Sequence, residues 1–191
     1  MYRRIHGTKD HLDVAASLCS LARVYIAQGR WDDAASLHEQ ALAMRRRIHG
    51  SSDHSDVAAS LCGLAQVYEA QGRLGDSASL QEESLAMLRR IHGSKDHSDV
   101  AASLHSLAQV CRAQGRLDDA ASLHEDSLAM LRRIYGCKDH GDVARSMSGL
   151  ARVYSAQGRL DDSASLWEEA LTTARTTAMW LQRCAAWHRC A

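Results

Sequence analysis

A unit of 43 residues repeats along this chain of 191 residues. Two kinds of residue mark its register, an isoleucine at Ile5, Ile48, Ile91 and Ile134 and a glycine at Gly29, Gly72, Gly115 and Gly158. A fixed period of this size, with similarity along the whole unit, is typical of stacked repeat proteins. The repeat therefore constrains the fold more strongly than any local propensity does.

Each unit contains two amphipathic runs. The first run, helix A, places apolar residues three and four positions apart, in the first copy at Val14, Leu18, Leu21, Ala22 and Tyr25. Gly29 is predicted to end it, and a second run, helix B, extends from Trp31 to Gly50. One such pair cannot bury its apolar face alone, so neighbours must stack. The sequence thus predicts an all-α fold, an α-solenoid of four helix-turn-helix repeats followed by a C-terminal helix.

Acidic residues mark the expected start of each helix A. They form pairs three residues apart, Asp10/Asp13, Asp53/Asp56, Asp96/Asp99 and Asp139/Asp142. Because such pairs are typical of capped helix N-termini, helix A is predicted to start beside each of them. Small residues such as Ala22, Ala34 and Ala41 are expected to let the helices approach closely.

The run L-x-x-L-A-x-x-Y-x-A-Q-G-R is carried here by Leu18, Leu21, Ala22, Tyr25, Ala27, Gln28, Gly29 and Arg30. This pattern resembles the tetratricopeptide repeat, and the longer period resembles the kinesin light chain variety of that repeat. The resemblance covers residues 2–175. It implies a protein-interaction scaffold that binds a peptide or protein segment on the concave, helix A side.

The chain also departs from that family pattern. The aromatic residue usual midway along helix B is replaced by His38, Gln81 and His124, and only Trp167 restores a ring. These positions are therefore expected to pack less tightly. The paired asparagines of the kinesin light chain type are replaced by Cys19–Ser20 and by their equivalents, which weakens the case for clamping a peptide backbone.

The resemblance places the ligand-facing positions on the inner side of helix A. The predicted binding residues are Ser20, Arg23, Gln66, Glu69, His105, Gln109, Arg112, Arg145 and Arg152. Arginines outnumber the single acid, so an acidic or carbonyl-rich protein segment is the favoured partner. Arg145 and Arg152 lie seven positions apart and are expected to face the same way. The alternative, in which these arginines are simply solvated, remains open.

Composition narrows the function further. Lys and Arg total 23 and Asp and Glu total 23, so no net charge favours nucleic acid or an anionic membrane. No segment approaches the roughly 20 apolar residues of a membrane span, and no apolar signal segment is present, so a cytoplasmic protein is expected. No catalytic constellation stands outside the repeat pattern. We therefore expect a non-enzyme without a cofactor.

Cysteine and histidine raise the question of metal binding. The six cysteines form no C-x-x-C pair, which favours free thiols. Histidines recur in an H-G-x-x-D-H loop at His6/His11, His49/His54 and His92/His97. Two imidazoles and a carboxylate suit a transition metal, but duplication of one ancestral loop explains the same pattern without a ligand. No metal site is therefore assigned from the sequence.

The two ends of the array suggest a second function. Residues 1–175 are predicted to form the four-repeat array, and 176–191 a helix that either caps the array or docks onto a partner. The segment carries Trp180 and Trp187, and the first hairpin has no preceding polar helix. The alternative function is therefore an oligomerising module that self-associates through its uncapped repeat ends and its Trp-rich tail.

Overall fold

The computed structural model describes residues 11–93, 95–135 and 140–173. They fall into two compact units, which divide between residues 94 and 95. The first unit contains α1 (Leu12–Ala27), α2 (Trp31–His49), α3 (Ser55–Ala70) and α4 (Leu74–His92). The second contains α5 (Ser98–Ala113), α6 (Leu117–Tyr135), α7 (Gly141–Ala156) and α8, which is helical over 160–173. Odd-numbered helices are helix A and even-numbered ones are helix B. The predicted all-α solenoid of helix pairs is confirmed.

Each helix A begins after a histidine N-cap. His11, His54, His97 and His140 share an extended backbone. In each, Nδ1 accepts a hydrogen bond of 3.2 Å from the backbone N–H two residues later. The imidazole thus satisfies one of the backbone donors that a helix start leaves unpaired.

The aspartates expected to cap these helices have another partner. Arg90 holds Asp53 through two hydrogen bonds of 2.6 and 2.8 Å, and Arg133 holds Asp96 through two of 2.7 and 2.9 Å. The predicted helix starts are correct, but the capping role given to Asp53 and Asp96 is wrong. These carboxylates are bound by arginine, and the histidine that follows each of them is the N-cap.

The turn from helix A to helix B depends on glycine. Gly29, Gly72, Gly115 and Gly158 have φ between 73° and 79°. Around Gly29, the Arg30 amide donates to the Tyr25 carbonyl at 2.9 Å, so the chain reverses without leaving carbonyls unpaired. Only glycine enters this left-handed region without strain. The predicted break at Gly29 is confirmed.

Alanines of both helices are part of the core. Ala22, Ala34, Ala41, Ala65, Ala108 and Ala151 are all fully buried. Leu61 and Leu104 are buried with them. The predicted core packing of these small residues is confirmed.

Successive repeats within each unit are joined by the same side-chain bonds. In the first unit, Tyr68 donates to Glu39 at 2.7 Å and Gln71 donates to Asp32 at 2.8 Å. The second unit repeats both bonds at 2.8 Å, from Tyr154 to Glu125 and from Gln157 to Asp118. An arginine on helix B also pairs with a glutamate on the next helix B, Arg46 with Glu83 and Arg132 with Glu169. These bonds fix the register of one repeat on the next.

Two expectations about packing are wrong. Leu21, predicted on the buried face of helix A, is 41% exposed, whereas the equivalent Leu64 is 4% exposed because α2 covers it together with α4. His38, Gln81 and His124 of helix B, which were expected to pack loosely, are buried. The equivalent Trp167, which was expected to pack better, is exposed. Polar side chains therefore fill the core where the family pattern has an aromatic ring.

The division into an array over 1–175 and a separate helix over 176–191 stays a prediction, because 176–191 lies outside the described residues. None of the helices in the described part of the chain combines the length and the apolar character that a membrane crossing needs.

Candidate functional site

All nine predicted binding residues lie on helix A. Ser20 and Arg23 lie on α1, Gln66 and Glu69 on α3, His105, Gln109 and Arg112 on α5, and Arg145 and Arg152 on α7. All the arginines, Ser20 and Gln66 are exposed, while Glu69, His105 and Gln109 are partly buried. The structure thus presents one such face in each unit. Their role in binding stays a prediction.

The face of the first unit contains short, hydrogen-bonded polar groups beside its longer polar side chains. The Ser20 hydroxyl donates to the Ala16 carbonyl at 3.0 Å. Cys62 on α3 lies 3.1 Å from the Ser84 hydroxyl, and burial raises the pKa of its thiol. A protonated, hydrogen-bonded thiol is a poor nucleophile and a poor metal ligand.

The second unit brings two of the predicted residues and one unpredicted residue together. The Gln109 amide donates to Nε2 of His105 at 2.8 Å, which leaves the ring proton of a neutral His105 on Nδ1. The His105 ring meets the His124 ring edge to face, with 4.8 Å between centroids. His124, on helix α6, is 1% exposed, and its Nδ1 is buried without a hydrogen-bond partner.

A glycine makes room for this pair of rings. A Cβ on Gly149 of α7 would lie 2.5 Å from Cε1 of His124 and 3.0 Å from Cε1 of His105. The first unit repeats the arrangement, because a Cβ on Gly63 would lie 2.7 Å from Cε1 of His38. Helix A can approach a buried histidine this closely only where it lacks a side chain.

Positive charge surrounds the two imidazoles. Burial lowers the pKa of His105 and the arginines Arg145 and Arg152 lower it further, while the Asp142 carboxylate opposes them. Burial lowers the pKa of His124 to about 3, with smaller contributions from His105 and Arg112. Both rings are therefore neutral at physiological pH, and the positive charge of this face belongs to the arginines.

The arginines differ in their surroundings. Arg145 is 68% exposed and pairs with Asp142 three residues earlier, at 2.6 Å. The guanidinium of Arg152 lies 6.0 Å from the centre of the Trp167 ring, at the outer limit of a cation–π contact. Arg152 is thus the less neutralised of the two, since its neighbour is an aromatic ring rather than a carboxylate.

A histidine cluster in the first unit has the composition of a metal site. His49, His54 and Asp56 have ligand atoms within 4.8 Å of one another. The two imidazoles are stacked, with 3.5 Å between centroids and 13° between planes, so their in-plane lone pairs do not converge on one point. In the second unit Tyr135 and His140 stack in the same way at 3.5 Å and 8°. Because a tyrosine replaces the first histidine there, ring stacking beside the N-cap accounts for the arrangement.

Sequence reasoning missed His124 because the residue stands on helix B, away from the predicted binding positions. The repeat nevertheless carries a sequence signal for this contact. Histidine occurs at positions 38 and 124, and glycine occurs 25 residues after each of them, at positions 63 and 149. The paired substitution indicates a contact between the two positions.

Antiparallel helix pairs with a 43-residue period, a glycine turn and repeated interhelical bonds define an α-solenoid repeat protein. A family model of the tetratricopeptide repeat matches residues 1–47, 13–90, 56–133 and 99–176. The chain belongs to the tetratricopeptide repeat family. Proteins of this family generally mediate protein–protein interactions, and the repeat is a non-enzymatic scaffold.

Solved structures agree with the kinesin light chain-like character of the repeats. A candidate kinesin light chain from Podosopora anserina with nearly identical TPR-like repeats is 28% identical, with a TM-score of 0.74 over 92% of this chain and 82% of that one. A variant of that protein, also 28% identical, gives 0.77 over 93% and 82%. BtubC (BKLC) from P. vanneervenii, 22% identical, shares the fold with a TM-score of 0.79 over 93% and 70%. A comparison with curated proteins gives no significant match.

Proposed function

We propose that this protein is an interaction scaffold that binds an acidic segment of a partner protein on the helix A face of its second unit. The observation that carries the proposal is the group of arginines around His105. Arg112 on α5 and Arg145 and Arg152 on α7 are exposed, and among the described residues the carboxylate that acts on His105 is that of Asp142. A carboxylate-rich segment would complement that charge.

The spacing of the arginines on this face suits an extended ligand. Arg145 and Arg152 lie seven positions apart on α7, and both are exposed. The neutral imidazole of His105 adds no competing charge. Both arginines can donate to carboxylates or to main-chain carbonyls of a segment lying along this helix.

The Asp142–Arg145 ion pair should reduce the contribution of Arg145 to ligand binding. A ligand carboxylate must compete with Asp142 for the Arg145 guanidinium, whereas Arg152 has no such internal partner among the described residues. Arg152 should therefore contribute more to binding than Arg145. Because both side chains are largely solvated, binding should weaken with added salt.

The test is a selection of peptides from a random library, followed by anisotropy measurements on the enriched sequences at low and high salt. We expect Asp and Glu to be enriched, and the double substitution Arg145→Ala with Arg152→Ala to weaken binding roughly tenfold. Arg159→Ala is the matched control, since Arg159 also pairs with an aspartate three residues away but lies in the turn before α8. Enrichment of neutral peptides, or equal binding by the double variant, would refute the proposal.

A further inference from the structure

The first and the last described helix each expose residues that are buried at equivalent positions elsewhere. On α8, Leu171 is 60% exposed, whereas the equivalent Leu128 on α6 is 5% exposed. On α1, Leu21 and Val24 are exposed, whereas their equivalents Leu64 and Val67 are buried. Both helices therefore present an apolar face of the kind that another repeat covers inside each unit.

The hydrogen-bonding groups at these two faces are complementary. Inside each unit, a tyrosine and a glutamine of helix A donate to a glutamate and an aspartate of the preceding helix B. The equivalent donors on α1 are Tyr25 and Gln28, and the equivalent acceptors on α8 are Glu168 and Asp161. Among the described residues, the side chains of these four make none of those bonds.

The donor on α1 is already held in its bonding arrangement. Arg30 lies over the Tyr25 ring at 3.9 Å from its centre. The same contact measures 3.8 Å between Arg73 and Tyr68 and 3.7 Å between Arg159 and Tyr154, where the tyrosine does reach a glutamate. Tyr25 thus has the arginine contact of its bonded equivalents, but no carboxylate among the described residues accepts its hydroxyl proton.

We propose that α1 of one copy of this chain docks on α8 of a second copy, in the register that joins repeats within each unit. That register predicts three contacts, namely Tyr25 with Glu168, Gln28 with Asp161, and Leu21 with Leu171. The last follows from the junction of α6 and α7, where Leu128 and Leu150 line one recess. The contact joins two different surfaces, so it can repeat from copy to copy.

A second copy matches these faces better than the parts of this chain outside the described residues. Residues 174–191 contain no tyrosine to donate to Glu168. Residues 1–10 contain a single acid, Asp10, whereas α1 requires a glutamate and an aspartate seven positions apart. A second copy of this chain supplies the complete set in the correct order.

The test measures the molar mass of the full chain by sedimentation as a function of concentration, with Leu21→Glu and Leu171→Glu as the blocking variants. The average molar mass of the wild type should increase with concentration, and each variant alone should be monomeric. An equimolar mixture of the two variants should form a one-to-one dimer, because each retains the face that the other lacks. Ile91→Glu, at an exposed isoleucine of α4, is the control and should associate like the wild type.

Milder substitutions test the register itself. Tyr25→Phe and Glu168→Gln should each weaken association about tenfold, the effect of losing one hydrogen bond to a charged acceptor. Their combination should weaken it no further than either alone. Glu82→Gln changes the same charge at the equivalent position of α4 and should have no effect. Circular dichroism verifies that every variant remains helical.

Three results would overturn the proposal. The first is a wild type that stays monomeric at every concentration, which would favour coverage of these faces by residues 1–10 or 174–191. The second is self-association of either blocking variant by itself, since that requires a different surface. The third is a mixture of the two variants that yields no dimer.

Discussion

Gly149 lies so close to His124 that a Cβ on the glycine would stand 2.5 Å from Cε1 of the imidazole. The contact connects α7 to α6 across a junction between two repeats. It explains how a polar ring occupies a core position that the family pattern assigns to an aromatic residue. The histidine is accommodated because the next helix A offers it a gap.

Substitution of that glycine should therefore be destabilising. Gly149→Ala is expected to lower the free energy of unfolding by about 1–3 kcal/mol, because the new methyl group overlaps a fully buried ring. Gly141→Ala is the matched control at the start of the same helix, where a Cβ meets nothing within 4 Å. It should leave stability unchanged or raise it by up to about 1 kcal/mol. Urea unfolding compares the two, and equal losses would show that the approach of α7 to His124 is not tight.

The buried imidazole should make stability depend on pH. The pKa of His124 is about 3 in the folded chain and about 6.5 in an unfolded one. Since the folded-state pKa is the lower, this contribution is complete above pH 6.5 and is lost as the pH falls from there towards 3. The loss should reach about 2 kcal/mol by pH 5.

His124→Gln separates this effect from general acid denaturation. Glutamine already occupies the equivalent buried position as Gln81, so the replacement should fold. The variant should lose stability less steeply between pH 6.5 and 5, with the remaining slope including His38, whose pKa burial also lowers. Thermal unfolding at a series of pH values measures the slopes. Identical slopes in both proteins would contradict the assignment.

The two equivalent leucines Leu64 and Leu21 should respond differently to truncation. Leu64→Ala is expected to cost about 2–5 kcal/mol because the side chain is buried and its removal leaves a cavity. Leu21→Ala, at 41% exposure, should cost less than about 1 kcal/mol in the dilute protein. Denaturant unfolding of both variants at low concentration provides the comparison. A similar cost at both positions would mean that Leu21 is covered in solution.

The tyrosine bond between repeats should contribute measurably. Tyr68→Phe removes the hydroxyl that donates to Glu39 at 2.7 Å and should cost about 1 kcal/mol. Tyr25→Phe makes the same change where no carboxylate accepts the hydroxyl proton among the described residues, so its effect on a dilute sample should be negligible. Chemical unfolding detects the difference. An equal effect would show that the ring environment, rather than the bond, determines the cost.

The sequence predicts the helix pairs well because a 43-residue period and the Gly29 turn each have one simple structural explanation. It predicts individual contacts less well. Asp53 has the right position for a helix cap, but its carboxylate binds Arg90, 37 residues later, instead. His124 looked like a weak packing position because its partner Gly149 lies on another helix. In both cases a contact between helices decides the role of a residue that local pattern alone cannot assign.

The candidate binding face shows the same limit. Helical spacing correctly places all nine residues on helix A, since that depends only on register. It could not show that Asp142 pairs with Arg145, or that Gln109 bonds to His105, because both contacts depend on side-chain rotamers. Counting the charged residues along the face therefore overstated how available the Arg145 guanidinium is to a ligand, because Asp142 already pairs with it.

The side-chain bonds that join repeats within the units span short distances along the chain. The bonds from Gln71 to Asp32 and from Gln157 to Asp118 each connect positions 39 residues apart. Loops of this length close quickly, so folding need not wait for remote parts of the sequence. During synthesis, every partner in the junction bonds of residues 11–93 has been made before the ribosome reaches residue 95. Nascent chains can thus bury their first repeats while the later ones are still being translated.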